Sequence, residues 1–153
     1  MLRAVRLAAL ADSPSAFASN YGAEANQSDE QWEERAVQGA GGQSSATFFA
    51  LIAASVEGLV GAYRPDPTGA SVELVSMWVS PAHRRVGIAG ALVDTAVDWA
   101  LLTGATTVEL WVTRDNAAAV RLYEAEGFRL TGQLQPLPSD PCKDEQRMRR
   151  TIG

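Results

Sequence analysis

Apolar positions in this chain recur with two periods, and the change from one to the other falls within Val72–Leu102. From Val72 to Val79 the residues are β-branched and apolar enough to read as a strand, which Ser80-Pro81 stops. Past Arg84, Arg85, Val86 and Gly87 the spacing becomes helical. Ile88, Ala91, Leu92, Thr95, Ala96 and Trp99 fall at i, i+3, i+4, i+7 and predict one buried face of a helix over Ala89–Leu102. A strand that runs through a basic, glycine-containing turn into a helix start makes an anion site. The first N–H groups of a helix have no internal partner, and the macrodipole adds partial positive charge. Gly87 and Gly90 let an anion approach the main chain, Ala89 adds little bulk, and Arg84 and Arg85 add fixed charge. The expected ligand carries phosphate.

The same periods order the rest of the chain. Leu2, Val5, Arg6, Leu7, Ala9 and Leu10 sit in an alanine-rich helical segment that Asp12-Ser13-Pro14 ends. Ser13 before Pro14 predicts a second short helix, on which Phe17 and Tyr21 pack as a pair four residues apart. Ser28 or Asp29 caps a third helix containing Trp32, and Gly39–Ser45 is a loop. Thr47–Val56 reads as a strand, Glu57-Gly58 as a tight turn, and Leu59–Tyr63 as the antiparallel partner. Gly104 stops the long helix, and Thr106–Val112 is a strand with Val108, Leu110 and Val112 on one face. Asp115-Asn116 opens a helix that ends at Gly127, and Phe128–Leu130 begins a strand. Pro136–Pro141 reads as irregular, and Gln146–Ile152 as a last strand. Helices, three strands, helix, strand, helix and two strands predict a mixed sheet in one α/β or α+β domain over residues 1–153.

Composition removes several classes of function. Hydrophobic residues are 46% and charged residues 20%, ordinary for a globular domain of 153 residues. A net charge of −5 gives no basic footprint for nucleic acid, so Arg84 and Arg85 form a local cationic island. The single cysteine, Cys142, allows no internal disulfide and suits a reducing cytoplasm. No apolar run reaches the length of a membrane span.

Two motifs then resemble a known family. Val79-Ser80-Pro81 followed by Arg84-Arg85-Val86-Gly87-Ile88-Ala89 is similar to the cofactor turn of the GNAT superfamily of acyl-CoA-dependent N-acyltransferases, with the bacterial members as the nearest likeness. Asn116, Ala119, Tyr123 and Gly127-Phe128 resemble the family's second motif. The opening Arg6-Leu7, Ser13-Pro14, Phe17 and Trp32 also resemble a common subgroup, so the likeness covers nearly the whole chain. It implies a mixed twisted sheet flanked by helices. The family's usual first strand precedes its first helix, and this sequence begins at or inside that helix, so either the start is placed late or the sheet lacks an edge strand. An absent strand would leave a sheet edge open to a second copy of the chain, which makes a homodimer an expectation.

The resemblance further implies transfer of the acetyl group of acetyl-CoA to a primary amine, small-molecule or peptide, with no metal. Arg84–Gly90 would hold the pyrophosphate, and main-chain groups near Met77, Trp78 and Val79 the pantetheine arm and the oxyanion. Asn116 would face pantetheine, Ala119 would make room, and Tyr123 would protonate the departing thiolate. For the base, the family points to a carboxylate at Glu73, with Glu109 on the next strand a weaker candidate. His83 reads as a solvent-exposed loop residue and Cys142 as incidental. Trp78 and Trp111 could line the acceptor cleft. A non-catalytic acyl-CoA-binding module would keep the turn without needing Tyr123 or a base.

Overall fold

The computed structural model describes residues 1–153. Helices α1 (Leu2–Asp12), α2 (Tyr21–Ala25) and α3 (Asp29–Gln38) precede strands β1 (Ser45–Ile52), β2 (Ser55–Tyr63) and β3 (Ser71–Val79). Helix α4 (Ile88–Leu102), strand β4 (Thr107–Thr113), helix α5 (Ala117–Ala125) and strands β5 (Arg129–Leu137) and β6 (Asp140–Thr151) follow. The strands form one sheet in the order β1-β2-β3-β4-β6-β5. Only β3 and β4 are parallel, joined by α4, so the sheet is mixed as the element order predicts. No helix is long and apolar enough to cross a membrane.

One sheet face carries the main core. Val60, Val72, Val108 and Met148 are fully buried there, against Val93, Ala96 and Ala100 of α4. The predicted stripe of α4 is rotated in the structure: Ala91 and Thr95 are exposed, and the buried positions are Leu92, Val93, Ala96, Val97 and Ala100. The helix is apolar around more than half its circumference, so spacing admits both stripes, and the bulk of Val93 and Val97 decides between them.

The other face is covered over only part of its area. There α1 packs Val5, Ala9 and Leu10 with Phe17, Leu59 and Trp78. The predicted helix holding Phe17 and Tyr21 does not form. Pro14–Ala16 is a single 3-10 turn, and Phe17 is extended and buried with the Arg6 guanidinium 4.6 Å over its ring. Asn20 caps α2, and Tyr21 is exposed at its first position. The start of α3 is as expected: Ser28 Oγ accepts from Gln31 N–H at 3.3 Å, and Gln31 Oε1 accepts from Ser28 N–H at 2.8 Å.

Two strand boundaries differ from the sequence reading. The β1–β2 turn is at Ala53-Ala54, both left-handed with φ of 47° and 67°. Such a turn ordinarily advertises itself by Asn-Gly, and alanine gives no such signal. Gly58 lies inside β2 instead, where a Cβ would meet Trp78 O at 3.0 Å and Leu92 Cδ1 at 3.1 Å. The segment around Pro136–Pro141 is no irregular loop but a tight hairpin, with Leu137 opposite Asp140. An edge strand accommodates Pro136, because its missing N–H is not needed by a further strand.

The sheet has no strand outside β1, which is one of its edges. Part of that edge is closed from within the chain: Thr47 N–H donates to Gly39 O at 2.8 Å, at the end of α3.

Candidate active site

Strands β3 and β4 are paired for four positions only, Ser71–Leu74 against Thr107–Leu110. Past Leu74 and Leu110 the ladder ends. β3 stays with β2 through a bulge in which Ser76 and Met77 together oppose Val60, and Ser76 adopts φ 60°. A cleft of about 100 Å³ occupies the gap, walled by Leu74–Met77 of β3, Trp111–Thr113 of β4, and Asn116, Ala119 and Tyr123 at α5. The main-chain groups of β3 that would have faced β4 are left free for an extended ligand.

At the end of β3 lies the turn into α4. Arg85 and Gly87 are both left-handed, with φ of 62° and 89°. No acceptor within the chain takes the backbone N–H groups from Arg84 to Gly90, including those of Val86, Ile88 and Ala89. Consecutive unpaired N–H groups at a helix start form a cradle for an anion. Gly90 has a further reason: a Cβ there would meet Glu126 Oε1 at 2.8 Å. Arg84 does not offer the free charge expected of it. Its Nε donates to Val79 O at 2.9 Å and its Nη2 pairs with Asp12, which also accepts from Trp78 Nε1 at 3.0 Å. The free cation of the turn is the exposed Arg85.

Asn116, Ala119 and Tyr123 share the cleft-facing side of α5, as their spacing predicts. The Asn116 side chain is also a cap, accepting from Ala119 N–H at 3.2 Å. Tyr123 is buried edge-on to Phe128, with ring centroids 5.8 Å apart, and its hydroxyl has no hydrogen-bond partner in the chain. Burial raises its pKa well above the ordinary phenol value, so the group stays protonated.

The carboxylates sort themselves by partner. Tyr63, Glu73, Glu109 and Arg149 form a row across β2, β3, β4 and β6 on the partly uncovered face. Arg149 Nε meets Glu109 Oε1 at 2.5 Å, and Arg147 holds the other oxygen. Burial works against the Glu109 charge, but the two guanidiniums overcome it and hold its pKa below the usual carboxylate range. That makes Glu109 a poor base. Glu73 is only 3.7 Å from Arg147, and its pKa is raised, first by burial and then by the Glu109 charge against the pull of Arg147. A carboxylate poised above its ordinary value is the better proton acceptor.

His83 is two-thirds buried in its side chain and engaged, with Nδ1 3.0 Å from Ser80 Oγ and 3.1 Å from Glu57 Oε2. Both contacts fall on one ring nitrogen, so these residues cannot relay a proton from serine to acid. Cys142 is exposed and free. Trp111 lines the cleft, with Arg147 5.1 Å over its ring, whereas Trp78 is buried beneath α1.

The site also contains residues to which motif reading gives no role. Arg6 of α1 is buried; its Nε and Nη2 hold the Glu24 carboxylate at 3.0 and 2.8 Å, and its Nη1 donates to Ser76 Oγ at 3.0 Å. Arg35 Nη1 adds a further bond to Glu24 at 3.0 Å. The signal for Arg6 was available, since it falls in the apolar stripe of Leu2, Ala9 and Leu10. Its partners are far off in sequence and gave none.

The chain resembles known proteins in both sequence and structure. The model of the acetyltransferase (GNAT) family matches residues 7–128. N-acetyltransferase 8B of Rattus norvegicus is 40% identical over 84 residues, 53% of this chain and 38% of that protein. The chain therefore spans well under half the length of that relative. A GCN5-related N-acetyltransferase from Kribbella flavida superposes with a TM-score of 0.72 at 26% identity, over 99% of this chain and 88% of that one. A spermidine N-acetyltransferase from Vibrio cholerae, solved with CoA and spermine, shares the fold with a TM-score of 0.77 at 22% identity, over 99% of this chain and 89% of that one. The family model spans the splayed strands, the turn into α4 and the face of α5, and the chain belongs to the GNAT family of acetyltransferases.

Proposed function

We propose that this chain transfers the acetyl group of acetyl-CoA to a primary amine by direct attack. The observation that carries the reading is the cleft where the β3–β4 ladder ends, on the strand that leads into the unpaired N–H groups of Arg84–Gly90. A ligand with phosphates at one end and an amide-bearing arm fits that shape. The turn takes the phosphates, and the free edge of β3 near Met77, Trp78 and Val79 pairs with the arm. Acetyl-CoA supplies an acyl group activated as a thioester. The residues of this chain supply the rest. An N–H of β3 beyond the bulge donates to the carbonyl oxygen as negative charge develops on it. Glu73 takes the proton that the acceptor ammonium must lose before its nitrogen can attack. Tyr123, kept protonated by burial, donates to the sulfur as the C–S bond breaks, and regains its proton from the new amide nitrogen through solvent.

The Vibrio cholerae protein acts on spermidine, and that supports an amine as the acceptor class without naming the amine. The test is release of CoA thiol from acetyl-CoA across amines, amino acids, aminoglycosides and peptides, with acetylated product identified by mass spectrometry. Thiol release that requires an amine supports transfer. Tight CoA binding with no release for any amine would make the chain an acyl-CoA-binding module instead.

A further inference from the structure

On the far side of the bulge a second cleft, of about 180 Å³, lies between α1, α3 and strands β1–β3. It shares Val75 and Ser76 with the cleft between β3 and β4, so the two meet at the bulge. Its lining includes two cations, Arg6 and Arg35, and no acid. On a chain with net charge −5 that is an exceptional surface.

The two guanidiniums differ in what they have left to give. Every nitrogen of Arg6 is engaged, by Glu24 and Ser76. Arg35 uses only Nη1, which bonds Glu24 Oε2 at 3.0 Å and Gln27 Oε1 at 3.1 Å; no group of the chain accepts from its Nε or Nη2. Its plane is held by stacking 4.5 Å over the Trp32 ring, and its side chain is one-third exposed. Gln38, one turn further along α3, also lines the cleft. Arg6 and Arg35 against the single Glu24 carboxylate leave one positive charge at this end. Tyr63 lines the same cleft and is the cross-strand neighbour of Glu73. Around Glu73 the balance is opposite, with Glu73, Glu109 and Glu145 set against Arg147 and Arg149. The cleft that holds the cationic fork thus reaches Tyr63, the cross-strand neighbour of a surplus carboxylate.

We propose that the acceptor is an amino acid, its amine beside Glu73 and its carboxylate on the free Nε and Nη2 of Arg35. A planar guanidinium matches a carboxylate through two parallel hydrogen bonds, which a bare amine cannot use. This rests on the transfer reading above. The measurement is kcat/KM for thiol release with matched acceptors: amino acids, their carboxamides and the corresponding amines without the carboxylate. The amino acid should exceed its carboxamide at least about tenfold, the scale of a charge-assisted hydrogen bond. Arg35→Gln should collapse that ratio towards one by raising KM for the amino acid, and Arg35→Lys should restore part of it. A thermal melt of each variant separates loss of the fold from loss of recognition. Equal turnover of acid and carboxamide, or a ratio unchanged in Arg35→Gln, would overturn the assignment while leaving acetyl transfer intact. If no acceptor releases thiol, the transfer reading fails and takes this assignment with it.

Discussion

Arg6 Nη1 donates to Ser76 Oγ at 3.0 Å, so a buried residue of the first helix holds the one β3 residue with positive φ. Ser76 lies just past Leu74, where β3 leaves β4, and the bulge sets where main-chain N–H groups beyond it point. Ser76→Ala removes the acceptor and leaves a buried guanidinium N–H unpaired. A loss of about 1–3 kcal/mol is expected by chemical denaturation. A fall in kcat for thiol release larger than any rise in KM would show that the bulge also places the reacting groups.

Glu24 ties three helices together through Arg6 and Arg35, and stability should depend on its ionisation. Burial opposes its charge, but the hydrogen bonds and charges of the two arginines outweigh that and hold its pKa at about 2, against an ordinary 4.5. Because the folded value is depressed, the unfolded chain binds the extra proton, so stability is lost as pH falls from about 4.5 towards 2. Acid unfolding followed by circular dichroism should show this loss, and Glu24→Gln should be less stable at neutral pH with a shallower acid dependence.

The two proposed proton carriers predict an asymmetric pH profile. Glu73 is raised and works ionised, so kcat/KM should fall on the acid side with a midpoint above the ordinary carboxylate value of 4.5. Glu73→Gln should remove that limb and cost about 10²-fold or more in rate. Tyr123 is raised and works protonated, so it should contribute no falling limb below the ordinary phenol value of 10.0. Tyr123→Phe should lower kcat with little change in KM for acetyl-CoA; an unchanged kcat at saturation would reduce Tyr123 to packing.

Gly87 tests the cradle through the backbone alone. Its φ is 89°, and a Cβ there would meet nothing within 4 Å, so alanine brings strain without a clash. Left-handed geometry costs an alanine about 1–2 kcal/mol. Relief by moving the turn should raise the Kd for CoA about tenfold, as read by calorimetry, while the melting temperature falls by no more than a few degrees.

Much of this was legible in the sequence because it rests on local pattern. The strand-to-turn-to-helix run at Val72–Leu102, the helix start at Ser28-Asp29 and the shared face of Asn116, Ala119 and Tyr123 are all matters of local pattern. What failed depended on contacts distant in sequence or on residues without a signature. Arg84 reads as a phosphate ligand until Asp12, 72 residues away, is seen to take it. Ala53-Ala54 turns the chain in a conformation that alanine does not announce. Glu109 looks like a base candidate until β6 brings Arg147 and Arg149 beside it. The Arg6–Glu24–Arg35 cluster joins three helices through pairings that no local spacing announces.

The most direct test of the account is a crystal structure of the protein with CoA. The pyrophosphate should sit on the N–H groups between Val86 and Gly90, and the pantetheine arm should lie along β3 in the gap past Leu74 and Leu110. The sulfur should come within about 4 Å of the Tyr123 hydroxyl, the reach of a hydrogen bond to sulfur. CoA bound away from the Arg84–Gly90 turn, or a thiol directed out of the cleft, would contradict the account.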